Sequence, residues 1–179
     1  MKNTPTKYAI SSRIIHWIMA ILILLTFAIG FYMDEFLDDE NPNRYEIYDL
    51  HKSLGVLVLF FFVIRLINRI IKKPPALPDS ISLRDKKLAK IGHYSLYLLM
   101  LLTPLSGYLM SSFAGYPVNL FSWQLPNFVG TNFELAEFFS ESHEIFAYSM
   151  IFMVSIHILA IFKHYFIDKN KTNILKRII

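Results

Sequence analysis

The stretch IIHWIMAILILLTFAIGFYM, from Ile14 to Met33, is 20 residues long and contains no Asp, Glu, Lys or Arg. Arg13 precedes it directly and Asp34 follows it. A helix of about 20 apolar residues crosses a hydrocarbon core roughly 30 Å thick, where an isolated strand could not satisfy its backbone hydrogen bonds. The stretch is too long for a signal peptide, and no small-residue cleavage site follows it. The sequence therefore predicts a transmembrane helix at about residues 14–34.

Three further segments are long and apolar enough to form spans, and they lie at about residues 51–71, 91–112 and 141–166. The second of these contains Arg65 and Arg69 near its end. We keep it as a span because long arginine side chains can reach the membrane interface. Four consecutive spans predict an all-α membrane protein that folds as a four-transmembrane-helix up-down bundle. We expect residues 1–179 to form a single membrane domain.

The composition of the whole chain agrees with this class. Of 179 residues, 54% are apolar and only 18% are charged, whereas a soluble domain of this length covers its surface with more charge. The absence of cysteine excludes a disulfide scaffold, an iron–sulfur cluster, a zinc ribbon and haem attachment through a CxxCH motif. The net charge is +4, but the cations lie beside apolar segments rather than in a basic domain. No nucleic-acid partner is therefore expected.

The charges of the loops alternate in sign along the chain. The loop after the first span has seven acidic residues against Arg44, and the third loop, up to Glu141, has three glutamates and no Lys or Arg. The two tails and the second loop are basic, with Lys2, Lys7, Arg13, Lys72, Lys73, Arg84, Lys86, Lys87, Lys90, Lys163, Lys169, Lys171, Lys176 and Arg177. The positive-inside rule then predicts that both termini are cytoplasmic.

Histidines near the ends of the spans are the candidate functional residues, and they are His16, His51, His93, His143, His157 and His164. On the fourth span, His143 and His157 are 14 residues apart, close to four helical turns, so both project from nearly the same face. Their separation along the helix axis is about 21 Å. This spacing suits two cofactors stacked across a membrane, because a single metal site needs ligands about one turn apart.

Each of these two histidines needs a partner at matching depth. His51 is the one candidate for His143 at the outer boundary, whereas His16 and His93 could each face His157, and spacing does not choose between them. Two imidazoles on opposite sides of one metal are typical of non-covalently bound b-type haem, while zinc requires three or four converging ligands. Histidines also relay protons, so a haem-free proton-relay transporter or sensor is an alternative.

Cations and the two remaining histidines lie beside these candidate sites. Arg13 and Arg65 at the inner rim, and Lys52 at the outer boundary, could pair with haem propionates. Contact with anionic lipid is the alternative for the arginines. His93 and His164 lie near the cytoplasmic interface, where they could donate a hydrogen bond to a quinone oxygen. Contact with lipid headgroups is the alternative for these histidines.

Four segments resemble the bacterial cytochrome b561 family over about residues 8–167: RIIHWIMAILIL, LHKSLGVLVLFFFVIRL, GHYSLYLLMLLTPLSGYLM and SHEIFAYSMIFMVSIHILAIFKHY. The resemblance implies a four-helix electron carrier of the bacterial inner membrane that binds two haem b groups non-covalently. It also implies the axial ligand pairs His16 with His157 and His51 with His143. By the same resemblance, His93 and His164 are not ligands.

The resemblance further implies that single electrons pass between a substrate and a membrane quinone. Some family members oxidise superoxide at the periplasmic side and reduce ubiquinone, and related proteins serve as cytochrome b subunits of hydrogenases or other dehydrogenases. We expect a stand-alone oxidoreductase or carrier that connects a periplasmic donor, with superoxide as one candidate, to ubiquinone or another membrane quinone. The alternative is an anchor or relay subunit of a larger complex.

The acidic outer loops bear on the choice of donor. They oppose the approach of an anion such as superoxide unless Arg44 and Lys52 lie at the mouth of the outer site, and they could instead dock a basic redox protein. We hypothesise that Lys52, adjacent to His51, attracts an anion or neutralises a propionate.

Overall fold

The computed structural model describes residues 7–167 and 175–179, so Lys2, Lys169 and Lys171 of the predicted charge pattern lie outside the described residues. Its main elements are four helices: α1 (Ile10–Glu35), α2 (Arg44–Ile71), α3 (Leu83–Phe113) and α4 (Phe133–Phe162). All four are long and apolar enough to cross a membrane. The predicted all-α, four-helix up-down bundle is confirmed.

The helices α2, α3 and α4 begin well before the predicted spans, and polar side chains cap the starts of α3 and α4. The hydroxyl of Ser82 accepts a hydrogen bond from the backbone N–H of Asp85 at 3.1 Å, and the side chain of Asn132 does the same for Leu135 at 3.1 Å. Such caps satisfy N–H groups that a helix start leaves unpaired. The connection between the predicted third and fourth spans, 91–112 and 141–166, is correspondingly shorter, since α3 ends at Phe113 and α4 already begins at Phe133.

The connection between α3 and α4 contains a short antiparallel hairpin of β1 (Asn119–Leu120) and β2 (Trp123–Gln124). Ser53 of α2, only 1% exposed, fixes this hairpin in place. Its hydroxyl donates to the carbonyl of Asn119 at 3.0 Å and accepts from the N–H of Phe121 at 2.8 Å. The hairpin is therefore held against α2 two residues from His51.

The four helices meet in an apolar layer at the middle of the bundle. α1 packs along α2, α2 packs along α3, and α3 packs along α4. Each helix contributes to one buried cluster, formed by Met19, Phe62, Leu99, Met100 and Met150. Met150 lies seven residues from His143 and seven from His157, so the apolar layer separates the two histidines of α4.

The two ends of the bundle differ in charge. The starts of α1 and α3 and the ends of α2 and α4 lie at one end, which we call the basic end; it contains Lys7, Arg13, Arg65, Arg69, Lys72, Lys73, Arg84, Lys86, Lys87, Lys90, Lys163, Lys176 and Arg177. The N–H of Tyr8 donates to the carbonyl of Arg177 at 3.0 Å, and Lys163 pairs with Asp85 at 3.1 Å. The opposite end, the acidic end, contains Asp34, Glu35, Asp38, Asp39, Glu40, Glu46, Asp49, Glu134, Glu137, Glu141 and Glu144, with Arg44 and Lys52.

Candidate functional site

Two histidines face each other near the acidic end, and we call them the acidic-end pair: His51 of α2 and His143 of α4. Their ring centroids are 6.1 Å apart and their planes are perpendicular, at 90°. Two imidazoles bound to opposite sides of one metal, through nitrogen bonds of about 2 Å, have centroids roughly 6 Å apart. The separation of the acidic-end pair therefore suits two axial ligands of one metal.

Backbone carbonyls orient both imidazoles of the acidic-end pair. Nδ1 of His51 lies 3.1 Å from the carbonyl oxygen of Thr26, and Nδ1 of His143 lies 2.8 Å from that of Thr103. A carbonyl oxygen can only accept, so each Nδ1 carries the proton and donates it. The lone pair of each neutral ring is then on Nε2, which is the arrangement of a metal-ligating histidine.

Glycines make room for these imidazoles. A Cβ atom at Gly30 would lie 2.9 Å from Cε1 of His51, and a Cβ at Gly107 would lie 2.8 Å from Cε1 of His143. Both distances are too short for a real contact, so a side chain at either glycine would displace the ring that packs there. A Cβ at Gly55, in contrast, would meet nothing within 4 Å. The close approach belongs to Gly30 and Gly107, although Gly55 is nearer to His51 in sequence.

Both acceptors and both glycines belong to one repeated pattern, T-x-x-x-G. Thr26 and Gly30 are four residues apart on α1, and Thr103 and Gly107 are four residues apart on α3. Residues at this spacing lie on the same face of a helix. In each case the threonine carbonyl accepts a hydrogen bond from the imidazole, and the glycine one turn later has no side chain that would clash with the ring. None of these four residues was predicted as a site residue from the sequence, although the repeat of the pattern on α1 and α3 is a signal that could have pointed to them.

Three histidines meet toward the basic end, and we call them the basic-end cluster: His16, His93 and His157. The ring centroids of His16 and His157 are 6.4 Å apart, and those of His93 and His157 are 5.7 Å apart. Both histidines that the spacing left open as partners of His157 thus lie beside it. The geometry brings all three predicted residues together.

Arg65 of α2 reaches into the basic-end cluster. Its Nη2 lies 3.1 Å from Nδ1 of His16, and its Nε donates to the hydroxyl of Tyr97 at 3.2 Å. The guanidinium groups of Arg65 and Arg69 also lie 5.6 and 5.2 Å from the Tyr97 ring centroid. Because a guanidinium can only donate, Nδ1 of His16 accepts in this geometry, which is the reverse of the acidic-end pair. For His16 to bind a metal through Nε2, its proton would have to move to Nδ1 and Arg65 would have to turn to another acceptor. Sequence reasoning missed Tyr97, which lies one turn after His93 on α3.

Two buried polar atoms beside these sites lack a hydrogen-bond partner in the part of the chain that the structure describes. They are Nε of Arg13 and Oγ1 of Thr103. Arg13 precedes His16 by three residues on α1, and the carbonyl of Thr103 binds His143. An unpaired buried donor indicates a missing partner, and an anionic group such as a haem propionate would pair with Arg13.

The remaining predicted site residues occupy the two ends of the bundle. Lys52 donates from Nζ to the carbonyl of Pro117 at 3.1 Å and lies 5.7 Å from the ring centroid of Tyr116. It therefore contacts the connection between α3 and α4. His164 is buried within a π-helical turn, Lys163–Ile167, that continues α4 at the basic end. Such turns occur frequently at functional sites.

These residues fit b-type haem as a bound group. Paired imidazoles would hold the iron, the missing side chains of Gly30 and Gly107 let the imidazoles of the acidic-end pair pack against α1 and α3, and an unpaired buried guanidinium nitrogen would be available for an anion. The fit is most complete at the acidic-end pair, where both imidazoles have carbonyl partners.

Comparison with known proteins assigns the chain to a family. The family model of prokaryotic cytochrome b561 matches residues 7–179. The chain is 35% identical over 178 residues to cytochrome b561 homolog 2 of Escherichia coli (strain K12), an alignment that covers 99% of this chain and 93% of that protein.

More distant relatives agree with this assignment. The chain is 24% identical over 168 residues to the probable superoxide oxidase CybB of Yersinia pestis, covering 93% of each chain. It is 23% identical over 158 residues to cytochrome b561 homolog 1 of Escherichia coli (strain K12), covering 88% of this chain and 89% of that protein. The chain therefore belongs to the prokaryotic cytochrome b561 family, and it is a multi-pass bacterial membrane protein of electron transfer whose family implies b-type haem binding.

Proposed function

We propose that the chain is a diheme b-type cytochrome that transfers electrons across the bacterial inner membrane. His51 with His143, and His16 with His157, are the proposed axial ligand pairs, the choice of His16 over His93 following the family resemblance. One observation carries the proposal. On each side of the apolar middle layer, a histidine of α4 faces a histidine of another helix, His51 opposite His143 and His16 opposite His157. The positive-inside rule supports a cytoplasmic basic end with both termini there. We also propose that residues 1–179 form a single membrane domain.

The chain's own residues bind and orient the cofactors. The carbonyls of Thr26 and Thr103 hold the acidic-end imidazoles with Nε2 available. Arg13 and Arg65 offer guanidinium donors for propionates beside the basic-end cluster, and Lys52 offers an ammonium at the acidic end. Bound haem supplies a one-electron redox centre at each pair.

We further propose superoxide as the periplasmic donor and ubiquinone, or another membrane quinone, as the acceptor. Support for the donor is the similarity to a protein named as a probable superoxide oxidase. Two superoxide anions each lose one electron and become O2, and one quinone gains those two electrons with two protons to become quinol. His93 and buried His164, at the basic end, are the proposed donors of hydrogen bonds to the quinone.

The direct test is quinol formation by the purified chain in ubiquinone-containing vesicles exposed to an enzymatic source of superoxide. We expect superoxide-dependent quinol formation by the wild type and its loss in a His157→Ala variant. A haem-loaded wild type that forms no quinol under these conditions would contradict the proposed reaction.

A relay subunit of a larger complex is the second candidate function. The connection between α3 and α4 favours this function, because Trp123 is 71% exposed and Phe128 is 80% exposed, and exposed aromatic side chains are typical of surfaces that bind a partner. Quinol formation only when a partner dehydrogenase is added would support this second function.

Reversing the charge of Lys52 should slow reduction by superoxide. Lys52 is one of two cations among the acidic residues of this end, so Lys52→Glu removes attraction for the anion and adds repulsion. We expect a rate about tenfold lower at low ionic strength, with the difference shrinking as salt is added. Stopped-flow measurement of haem reduction gives this rate. Lys72→Glu, the same change at the basic end, is the control, and an unchanged rate and salt dependence in Lys52→Glu would refute the role.

A further inference from the structure

The helix α3 repeats a pattern of residues from α1 at a constant offset of 77 positions. In both helices a cation, a histidine and an aromatic residue occur at the same spacing and are followed by the T-x-x-x-G pattern. The corresponding residues are Arg13 and Lys90, His16 and His93, Trp17 and Tyr94, Thr26 and Thr103, and Gly30 and Gly107.

The helices α2 and α4 correspond in the same way, at an offset of 92 positions. His51 corresponds to His143, and Arg65 corresponds to His157. The contacts match too, because each acidic-end imidazole packs on the glycine of the preceding helix, where a Cβ atom would lie 2.9 or 2.8 Å from Cε1. The bundle therefore consists of two similar two-helix units, α1–α2 and α3–α4.

The two units differ one helical turn after the basic-end histidine. Ala20 follows His16 by four residues, whereas Tyr97 follows His93 by four residues. Residues at this spacing lie on the same face of a helix, and a long side chain covers the turn that precedes it. The ring of Tyr97 therefore covers the turn of His93, whereas the methyl group of Ala20 is too short to cover the turn of His16.

Contacts with α2 hold the Tyr97 ring in place. Its hydroxyl accepts a hydrogen bond from Nε of Arg65 at 3.2 Å, and the guanidinium of Arg69 lies 5.2 Å from its ring centroid. The ring centroid also lies 6.3 Å from that of Phe62, which belongs to the apolar middle layer. The space between α2 and α3 beside His93 is therefore filled by an anchored side chain.

The corresponding space in the other half of the bundle is the seam between α1 and α4. These two helices make limited contact with each other, whereas α2 packs along α3 and α3 packs extensively along α4. His16 and His157 face each other across the α1–α4 seam, with ring centroids 6.4 Å apart. A planar group between these two imidazoles would meet the small side chain of Ala20 on α1. A planar group between His93 and His157 would have to separate two closely packed helices.

We propose that Ala20 and Tyr97 determine where haem binds at the basic end. Ala20 admits the flat macrocycle at the α1–α4 seam, and Tyr97 excludes it from the side of His93. The two residues thereby select His16 over His93 as the partner of His157, a choice that the ring distances leave open. This inference rests on the proposed diheme function and adds the residues that discriminate between two corresponding histidines.

The role of Ala20 is tested by giving α1 the side chain that α3 carries at the corresponding position. We expect Ala20→Tyr to lower the haem content from two groups per chain to one, because the new ring covers the turn of His16. The remaining haem shows that the variant is folded, and it should be lost when His143→Ala is added. Pyridine haemochrome quantification on monodisperse protein measures the haem content.

Ile21→Tyr is the matched control for Ala20→Tyr. Ile21 is the next residue of α1 and is 63% exposed, so the same aromatic side chain there should leave both haems bound. Two haems in Ala20→Tyr would overturn the inference. Fewer than two haems in the wild type would instead overturn the proposed function.

The role of Tyr97 is tested by restoring haem binding to a variant that lacks His16. His16→Ala should bind the acidic-end haem alone. Adding Tyr97→Ala should restore a second haem, bound through His93 and His157, whose ring centroids are already 5.7 Å apart. A further His93→Ala change should remove that haem again.

Tyr97→Phe in the same His16→Ala background is the matched control. It keeps the ring and removes the hydroxyl, so it should not restore the second haem. Absence of a restored haem with Tyr97→Ala, or equal restoration with Tyr97→Phe, would overturn the excluding role of the Tyr97 ring. If Ala20→Tyr loses both haems, this restoration decides the inference.

Discussion

Replacing His143 with alanine is expected to lower the haem content of the purified protein from two groups per chain to one. The imidazole of His143 is one half of the acidic-end pair, and its Nδ1 contact with Thr103 leaves Nε2 to bind a metal. His51→Ala should remove the same haem, and the double variant should lose no more than either single one. Pyridine haemochrome quantification on monodisperse protein measures this loss.

At the basic-end cluster, the same haem quantification distinguishes His16 from His93 as the partner of His157. His16→Ala and His157→Ala should each remove the other haem, whereas His93→Ala and His164→Ala should keep both. His93 is the critical control because its ring is nearer to His157 than that of His16. Loss of haem in His93→Ala with retention in His16→Ala would show that the proposed ligand pairing at the basic end is wrong.

Substitution of Gly107 by alanine is expected to weaken haem binding at the acidic-end site by about 10- to 100-fold, the range typical when a group that orients a metal ligand is disturbed. The new Cβ would lie 2.8 Å from Cε1 and 3.5 Å from Nε2 of His143. To avoid this Cβ, the imidazole of His143 must shift, and the shift disturbs its 2.8 Å contact with the Thr103 carbonyl. Gly30→Ala should act in the same way on His51. Haem titration of the apoprotein, followed by the visible spectrum, reports the affinity.

Gly92 provides the matched control on the same helix as Gly107. A Cβ there meets nothing within 4 Å, so Gly92→Ala should keep wild-type affinity. The Gly92→Ala change should also raise helix propensity by about 1 kcal/mol, and Gly107→Ala gains the same amount, so this effect cancels in the comparison. Wild-type affinity in Gly107→Ala would refute the close-packing role of this glycine.

The membrane architecture could be predicted from the sequence because the bilayer leaves few choices. Uncharged stretches such as Ile14–Met33 must be helical in hydrocarbon, and all four predicted spans lie within observed helices. The starts of α2, α3 and α4 were missed, since hydropathy does not detect polar first turns. The first turns of α3 and α4 are capped by the side chains of Ser82 and Asn132.

The candidate site was only partly visible in the sequence. The 14-residue spacing of His143 and His157 is a property of one helix, so helical geometry alone interprets it. The carbonyls of Thr26 and Thr103 were missed because every residue has a carbonyl, and only the packing of α1 on α2 and of α3 on α4 selects two of them. The contact of Arg65 with His16 likewise depends on the relative rotation of α1 and α2, which periodicity does not define.

The most direct test of the proposed diheme function is a reduced-minus-oxidised visible spectrum of the detergent-purified wild-type protein, with haem quantified per chain. We expect two haems per chain and a sharp b-type α band. A well-folded, well-expressed protein that contains no haem would contradict the electron-transfer account and support the proton-relay alternative.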